Sequence, residues 1–232
     1  DMDLAGFKVI YFWEWSHRQL GRIIGLVYAI PLLYFIISNK IQKGKLINFL
    51  AILFLICTQG FIGWWMVSSG LINDRVDVSQ YRLATHLGVA FVILACLFWL
   101  WRNQRESWPD NSGNKNLIWL TNILSLLVYL QIILGAFVAG LKAGRTYNTW
   151  PLMDGDFIPN GYMSLNPYWR NIFENIGAVQ FNHRTLAYII ILFTIYVFIA
   201  ARNNQRLKRA LLGFKILLVV QVLLGIFVLI TG

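Results

Sequence analysis

The stretch "AVQFNHRTLAYIIILFTIYVFIAA" (178–201) sets His183 and Arg184 at the mouth of an apolar run that no charge interrupts before Ala201. A helix needs about 20 mostly apolar residues to cross bilayer hydrocarbon, and the run 181–201 supplies them. Five further runs of that kind lie at 18–38, 46–70, 83–101, 117–141 and 210–231. Their mid-span residues are apolar, Gly or neutral polar, such as Thr58, Gln59, Asn122, Gln131 and Gln221, and Pro31 is the one proline within a span. Lys215 lies toward one end of the last run, where its stem can carry the ammonium to the interface. With 58% hydrophobic and 13% charged residues, the chain is too apolar for an ordinary soluble domain. These observations predict an all-α, polytopic helical membrane protein.

The formal charge of +10 is distributed as a topology signal and not as a nucleic-acid footprint. Lys40, Lys43, Lys45, Arg102, Arg105, Lys115, Arg202, Arg206, Lys208 and Arg209 fill the odd-numbered loops, against only Glu106 and Asp110. The even loops are balanced: Arg75 faces Asp74 and Asp77, and Lys142, Arg145 and Arg170 face Asp154, Asp156 and Glu174. The positive-inside rule puts the odd loops in the cytoplasm, or in the matrix of a mitochondrion. Cys57 and Cys96 both fall within spans and act as small apolar residues, with no metal-type spacing.

Three spans begin with a histidine, and the chain has no other: His17, His86 and His183. The span after each carries Gln-x-x-x-Gly, from Gln59, Gln131 and Gln221. The chain therefore reads as one helix hairpin used three times, with glycines that would let helices approach closely in lipid. The polar stretch "RNQRESWPDNSGNK" (102–115) marks a boundary, giving an N-terminal bundle over 1–105, a linker over 106–116 and a C-terminal bundle over 117–232. The other long connection, roughly 142–179, is expected outside, with Trp150 and Trp169 at the interface and part of it as a short amphipathic helix.

An isolated histidine at a membrane interface is usually a polar side chain within reach of headgroups or water. Three equivalent placements at one depth point instead to function. Haem iron takes axial ligands from opposite faces, so imidazoles on facing helices can clamp one macrocycle. Its propionates favour forked arginine partners. Arg18 and Arg184 each follow a histidine, Arg22 lies a turn beyond Arg18, and Arg82 lies a turn before His86. Zinc is disfavoured, because there are no local His or Cys pairs and no acidic cluster. Glu14 and His17 share a helical face at i, i+3. The carboxylate could orient a water or take a proton beside a haem edge, or simply pair with Arg18 at i+4; spacing leaves both open.

Four stretches carry a resemblance: "FKVIYFWEWSHRQLGR" (7–22), "SQYRLATHLG" (79–88), "AGRTYNTWPLMDG" (143–155) and "QFNHRTLAY" (180–188). Together they resemble the heme A synthases of bacteria and mitochondria, over essentially the whole chain. The absence of loop cysteines is similar to the proteobacterial and mitochondrial branch, while Gly6 stands where relatives often have an acid before Phe-Lys. The resemblance implies an eight-helix protein of two similar four-helix bundles, each with a histidine pair. It implies oxidation of a methyl group of heme O to a formyl group, giving heme A, by two successive hydroxylations and loss of water.

Carried over, His17 and His86 would hold the substrate haem, Glu14 would be catalytic, and His183 would be one ligand of a haem b serving electron transfer. Arg18, Arg22, Arg82 and Arg184 are expected on the haems. The family's first and last helices are expected to be missing from these 232 residues, and with the last helix the partner ligand of His183. Implied partners are heme O synthase (the protoheme farnesyltransferase), the cytochrome c oxidase assembly machinery and membrane lipid, with no nucleic acid; a homo-oligomer is compatible. The implied location is the bacterial inner membrane, with the histidines near the outer face, or the mitochondrial inner membrane in a eukaryote. A di-haem cytochrome carrying electrons only would use the same His and Arg residues without needing Glu14. A transporter would want midplane charges and broken helices, which this sequence does not offer.

Overall fold

The computed structural model describes residues 3–42, 44–70, 77–104 and 114–231. Lys43, Asp74, Arg75, Arg105, Glu106, Asp110 and residues 106–113 of the expected linker lie outside them. Six α-helices make up the fold: α1 (Leu4–Ile37), α2 (Leu46–Ser68), α3 (Gln80–Asn103), α4 (Lys115–Gly140), α5 (Ile176–Ala200) and α6 (Gln205–Thr231). Each is long and apolar enough to cross a membrane, and no strand occurs among the described residues. Large apolar side chains are widely exposed, Trp13 at 68%, Phe54 at 70% and Leu217 at 69% among them. Surface of that kind is costly in water and suited to lipid.

Five helices begin and end close to the expected runs. The first is different: α1 starts at Leu4, where the Asp3 side chain accepts from the Gly6 N–H at 2.7 Å as an N-cap. Its 34 residues span roughly 51 Å at 1.5 Å per residue, well beyond the ~30 Å of hydrocarbon. His17 therefore lies inside a helix, roughly 20 Å from its start, instead of opening one. The Asp3 cap starts the helix early and no proline interrupts residues 4–17, so the helix outruns the apolar segment that predicted it.

The chain divides into two compact units. The first comprises residues 1–65 and 89–106: α1, most of α2 and the C-terminal part of α3. Leu32, Ile52, Ile93 and Leu100 are its buried apolar residues. The Tyr28 hydroxyl donates to the Phe49 carbonyl at 3.0 Å, and Lys45 Nζ donates to Gln104 Oε1 at 3.1 Å.

The second unit comprises residues 66–88 and 107–232. Its closest-packed helix pair is α4 with α5. Along α5 the residues Val179, His183, Leu186, Ile190, Thr194, Val197 and Ala201 recur at steps of three and four and form one stripe. Along α4 the matching stripe is Leu117, Leu120, Leu124, Leu127, Gln131, Gly135 and Val138. One core cluster holds Leu124, Ile190, Val197, Ala201 and Leu211; another holds Ala84, Ala136, Phe137 and Val179. Thr194, 1% exposed, donates its hydroxyl to the Ile190 carbonyl and so enters the core without an unpaired group.

The connection 141–175 contains no α-helix, contrary to the expected amphipathic one. It has two short 3₁₀ segments, Ala143–Arg145 and Tyr168–Ile172, joined by turns. Its organiser is Asn171, 1% exposed. That side chain donates to the Leu165 and Tyr168 carbonyls, both at 2.9 Å, and accepts from the Leu165 N–H at 3.0 Å and Asn175 Nδ2 at 2.9 Å. Asn175 in turn caps α5 by accepting from the Ala178 N–H at 3.1 Å. Polar hydrogen bonding, not an apolar face, holds this segment, and for that reason no helical periodicity was needed.

Candidate functional site

The most defined candidate group lies in the second unit, around His183. As part of the α5 stripe this residue is turned toward α4 by the same periodicity that buries Val179 and Ile190. It meets Gln131 and Gly135, one helical turn apart on the α4 stripe. Gln131 Nε2 lies 3.2 Å from His183 Nε2 and donates to the His183 carbonyl at 3.1 Å. A Cβ placed on Gly135 would lie 3.2 Å from His183 Cε1, tighter than ordinary van der Waals contact. His183 Nδ1 is buried and has no hydrogen-bond partner, and Gln131 Oε1 is in the same condition. A buried imidazole nitrogen left without a partner is expensive unless a ligand claims the ring. The donor set therefore fits a group that binds imidazole, such as haem iron.

Arg184, the next residue, faces the connection between α4 and α5. Its Nη2 donates to the Tyr147 carbonyl at 2.8 Å, and its Nη1 to the Thr149 carbonyl at 3.0 Å and the Leu152 carbonyl at 3.5 Å. The buried Gln180 side chain adds a second donor to the Tyr147 oxygen at 2.8 Å. Tyr162 reaches Asn182 Oδ1 at 2.8 Å, and Trp150 Nε1 reaches the Tyr188 hydroxyl at 3.2 Å. The guanidinium is thus a strap for the segment 147–152 as well as a cation beside the histidine.

His86 lies on α3, half-buried, between Ala84 and Leu87 of the same apolar cluster that contains Val179, Ala136 and Phe137. Arg82 Nη1 donates to Ser68 Oγ at 3.2 Å one turn earlier. Gly88 packs closely here: a Cβ on it would meet Ile133 Cδ1 at 2.8 Å and the Tyr129 hydroxyl at 3.0 Å, side-chain ends that would have to shift. Tyr81, Phe137 and Phe173 form an aromatic trio, with Tyr81 and Phe137 5.6 Å apart at 83°. The Tyr81 hydroxyl donates to Glu174 Oε1 at 2.8 Å, and Arg170 grips the same carboxylate through its Nε at 2.7 Å and through its Nη2. The hydrogen bonds from Arg170 and then Tyr81 hold the Glu174 carboxyl below its ordinary range.

In the first unit the structure places Glu14, His17, Arg18 and Arg22 on α1, all exposed. Arg18 Nη2 and Glu14 Oε2 form an ion pair at 2.8 Å, and Arg22 donates to Gln19 Oε1 at 3.1 Å. The i, i+4 pairing weighed from the spacing is thus present, at a surface where such pairs contribute only ~0.3–0.5 kcal/mol. Among the described residues no three His, Cys, Asp or Glu side chains converge as a metal-binding group.

Sequence reasoning found the histidines and arginines and noticed Gln131 and Gly135, but only as a motif that lets helices approach. Their place against a histidine was missed; the signal was the phase of the repeat, with each Gln-x-x-x-Gly preceding a His-headed helix or the chain's end. Gly225 of the third copy has nothing within 4 Å of a Cβ, so close approach is not what that copy provides within this chain. Gln180, Asn171 and Asn175 carried no signal beyond their residue type.

Comparison with known proteins adds relatives to this geometry. The model of the COX15-CtaA family, described as cytochrome oxidase assembly protein, matches residues 1–232. A heme A synthase of Dinoroseobacter shibae is 46% identical over 232 residues, covering 97% of this chain and 61% of the relative. Those of Agrobacterium fabrum and Paracoccus denitrificans are 45% and 44% identical, each across 97% of this chain and 62% and 61% of their own length. The chain spans about three-fifths of the length of the curated relatives it matches.

Proposed function

The chain belongs to the COX15-CtaA family of cytochrome oxidase assembly proteins, and from that premise we propose that it carries the haem sites of a heme A synthase, which oxidises a methyl group of heme O to the formyl group of heme A. The structural observation that carries the reading is the His183 imidazole, held between α4 and α5 with a buried nitrogen that nothing in the protein satisfies.

In this reading His183 is a ligand of a haem b, and His17 and His86 are ligands of the substrate haem. Glu14 is the catalytic carboxylate, positioning a water or taking a proton. Arg18, Arg22, Arg82 and Arg184 offer cations to propionates, Arg184 while also strapping 147–152. The haem iron, when bound, supplies the oxidation chemistry; the protein supplies position and electrostatics. The two sites belong to two similar helical bundles, on either side of the linker. The histidines face the outer side of a bacterial inner membrane, with the basic loops inside. Heme O synthase is the expected source of substrate, and cytochrome oxidase assembly the use of product.

A haem cytochrome that only carries electrons is the second reading. It draws on the Glu14–Arg18 pair, which gives the carboxylate a partner without any chemistry. One experiment separates them: extract the haems of the intact protein, purified from cells that make heme O, and resolve them by chromatography. Heme B together with heme O, heme A or a hydroxylated intermediate supports the synthase, and Glu14→Gln should then stop heme A formation while haem stays bound. Heme B alone supports the cytochrome, and a protein without haem overturns both.

A further inference from the structure

We infer that α5 and α6 form a site for an anionic phospholipid of the leaflet facing the basic loops, its phosphate held between Lys208 and Lys215 and one acyl chain lying in the groove between the two helices. A groove of about 190 Å³ runs there, with Ile191, Thr194 and Ile195 of α5 on one side and Lys215, Val219 and Leu223 of α6 on the other. Thr194 spends its hydroxyl on the Ile190 carbonyl at 2.7 Å, so the wall it forms is apolar. Lys215 is the one charged residue of the lining. The site is separate from His183, which lies toward the opposite end of α5.

Helical phase carries both walls on toward the loop at 201–204. Phe198 follows Ile191 and Ile195 on one face of α5, and Lys208 precedes Lys215 by two turns on one face of α6. The two walls meet at the Phe198 ring. Lys215 Nζ lies 4.1 Å from its centre and Lys208 Nζ 5.6 Å from it. Side chains on a helix lean toward its N-terminus, so the Lys215 stem runs along the groove and brings its ammonium to the last turn of α5.

Two half-buried ammoniums thus share one ring, and a ring face attracts cations without carrying a charge that neutralises them. No Asp or Glu follows Glu174 in the sequence, and neither lysine has an ion-pair partner among the described residues. Arg202, Arg206 and Arg209 add to the same positive field. Like charges at the edge of a low-dielectric medium repel more strongly than in water, and an anion between them reverses the sign.

That anion has to be joined to an apolar chain, because the groove leads from the ammoniums into hydrocarbon. From Lys215 to Leu223 it rises roughly 12 Å at 1.5 Å per residue, against roughly 15 Å for the hydrocarbon of one leaflet. A diacyl phospholipid sets charge and chain in that order. An apolar helix laid in the groove would cover the walls and leave both charges unanswered.

The test places the intact protein in nanodiscs of equal parts palmitoyl-oleoyl phosphatidylglycerol and palmitoyl-oleoyl phosphatidylcholine. Lipid retained on the released protein is counted by native mass spectrometry, for variants that keep the unaltered size-exclusion profile. The unaltered protein should keep one phosphatidylglycerol in preference to phosphatidylcholine. Retention should fall about five-fold for Lys215→Met alone and about 25-fold with Lys208→Gln added, and Lys215→Arg should restore it. Ile195→Trp keeps both lysines and blocks the groove, and should also lower retention several-fold. Arg206→Gln with Arg209→Gln removes as much charge from other faces of α6 and should leave retention unchanged.

An unaltered protein that keeps no phosphatidylglycerol, or keeps both lipids equally, would overturn the site. So would equal loss in the lysine and arginine pairs, which is attraction by net charge alone. Full retention in Ile195→Trp would overturn the groove as the seat of the chain.

Discussion

Arg184 and Gln180 converge on one oxygen, the carbonyl of Tyr147, each at 2.8 Å. Three residues of the connection between α4 and α5 are thereby tied to the first turns of α5, because Arg184 also reaches the carbonyls of Thr149 and Leu152. Four hydrogen bonds thus join the helix that carries His183 to the segment beside it.

Arg184→Ala should loosen that segment before it affects the helix bundle. A hydrogen bond from a charged donor contributes ~1.5–3 kcal/mol, so a loss of about 2 kcal/mol is expected. Hydrogen exchange over residues 146–153 should accelerate, with α4 and α5 amides unchanged. Equal exchange in both proteins would show that the guanidinium does not hold the segment.

Asn171 uses both amide hydrogens and accepts two bonds while almost fully buried. Asn171→Ala strands the Leu165 and Tyr168 carbonyls and removes the partner of Asn175, with an expected cost of about 3 kcal/mol. Thermal unfolding in detergent, followed by proteolysis within 160–172, measures it. Asn171→Asp should fare no better, because a carboxylate cannot donate to those carbonyls.

The Arg170–Glu174–Tyr81 cluster makes a pH prediction. The folded carboxyl of Glu174 is depressed, first by the hydrogen bond from Arg170 and then by that from Tyr81. A depressed folded value stabilises the protein above the unfolded carboxyl pKa of about 4.3, and the gain is lost as pH falls through the folded value. Arg170 is shifted upward by the same carboxylate, which is without consequence below strongly alkaline pH. Cleavage of the connection by an acid-active protease should therefore rise as pH falls below the ordinary carboxyl range. Glu174→Gln should show less of that rise and start from lower stability at neutral pH.

Glycines in similar apolar text should respond oppositely. A Cβ at Gly140 would lie 2.7 Å from Gln80 Cβ and 2.8 Å from its Cα, contacts that only backbone movement relieves. Gly140→Ala should destabilise the α3–α4 contact by about 1–3 kcal/mol. Gly213 has nothing within 4 Å, and Gly213→Ala should stabilise α6 by up to about 1 kcal/mol through helix propensity. Melting temperatures of the two variants in one detergent decide it; a shift of the same sign in both would refute the packing argument.

By itself the sequence determined the number of helices, their approximate ends and their lipid-facing character. Apolar run length is a local property, and an uninterrupted run of about 20 residues satisfies its backbone in lipid as a helix, where a barrel strand needs only about 10. It also determined which residues carry imidazole and guanidinium, since the chain has only three histidines, each with an arginine within one turn. The start of α1 lay beyond that signal, because its first turns are amphiphilic and a cap at Asp3 decides them. Only tertiary structure decided what those groups touch. That Arg184 spends itself on carbonyls 32 to 37 residues away depends on how an irregular connection folds back, and hydrogen bonds between distant backbone and side chain leave no periodicity to read. That Gln131 and Gly135 face His183, 52 residues from Gln131, depends on the register of α4 against α5. Register is set by how two whole stripes interdigitate, and no single position in either helix contains it.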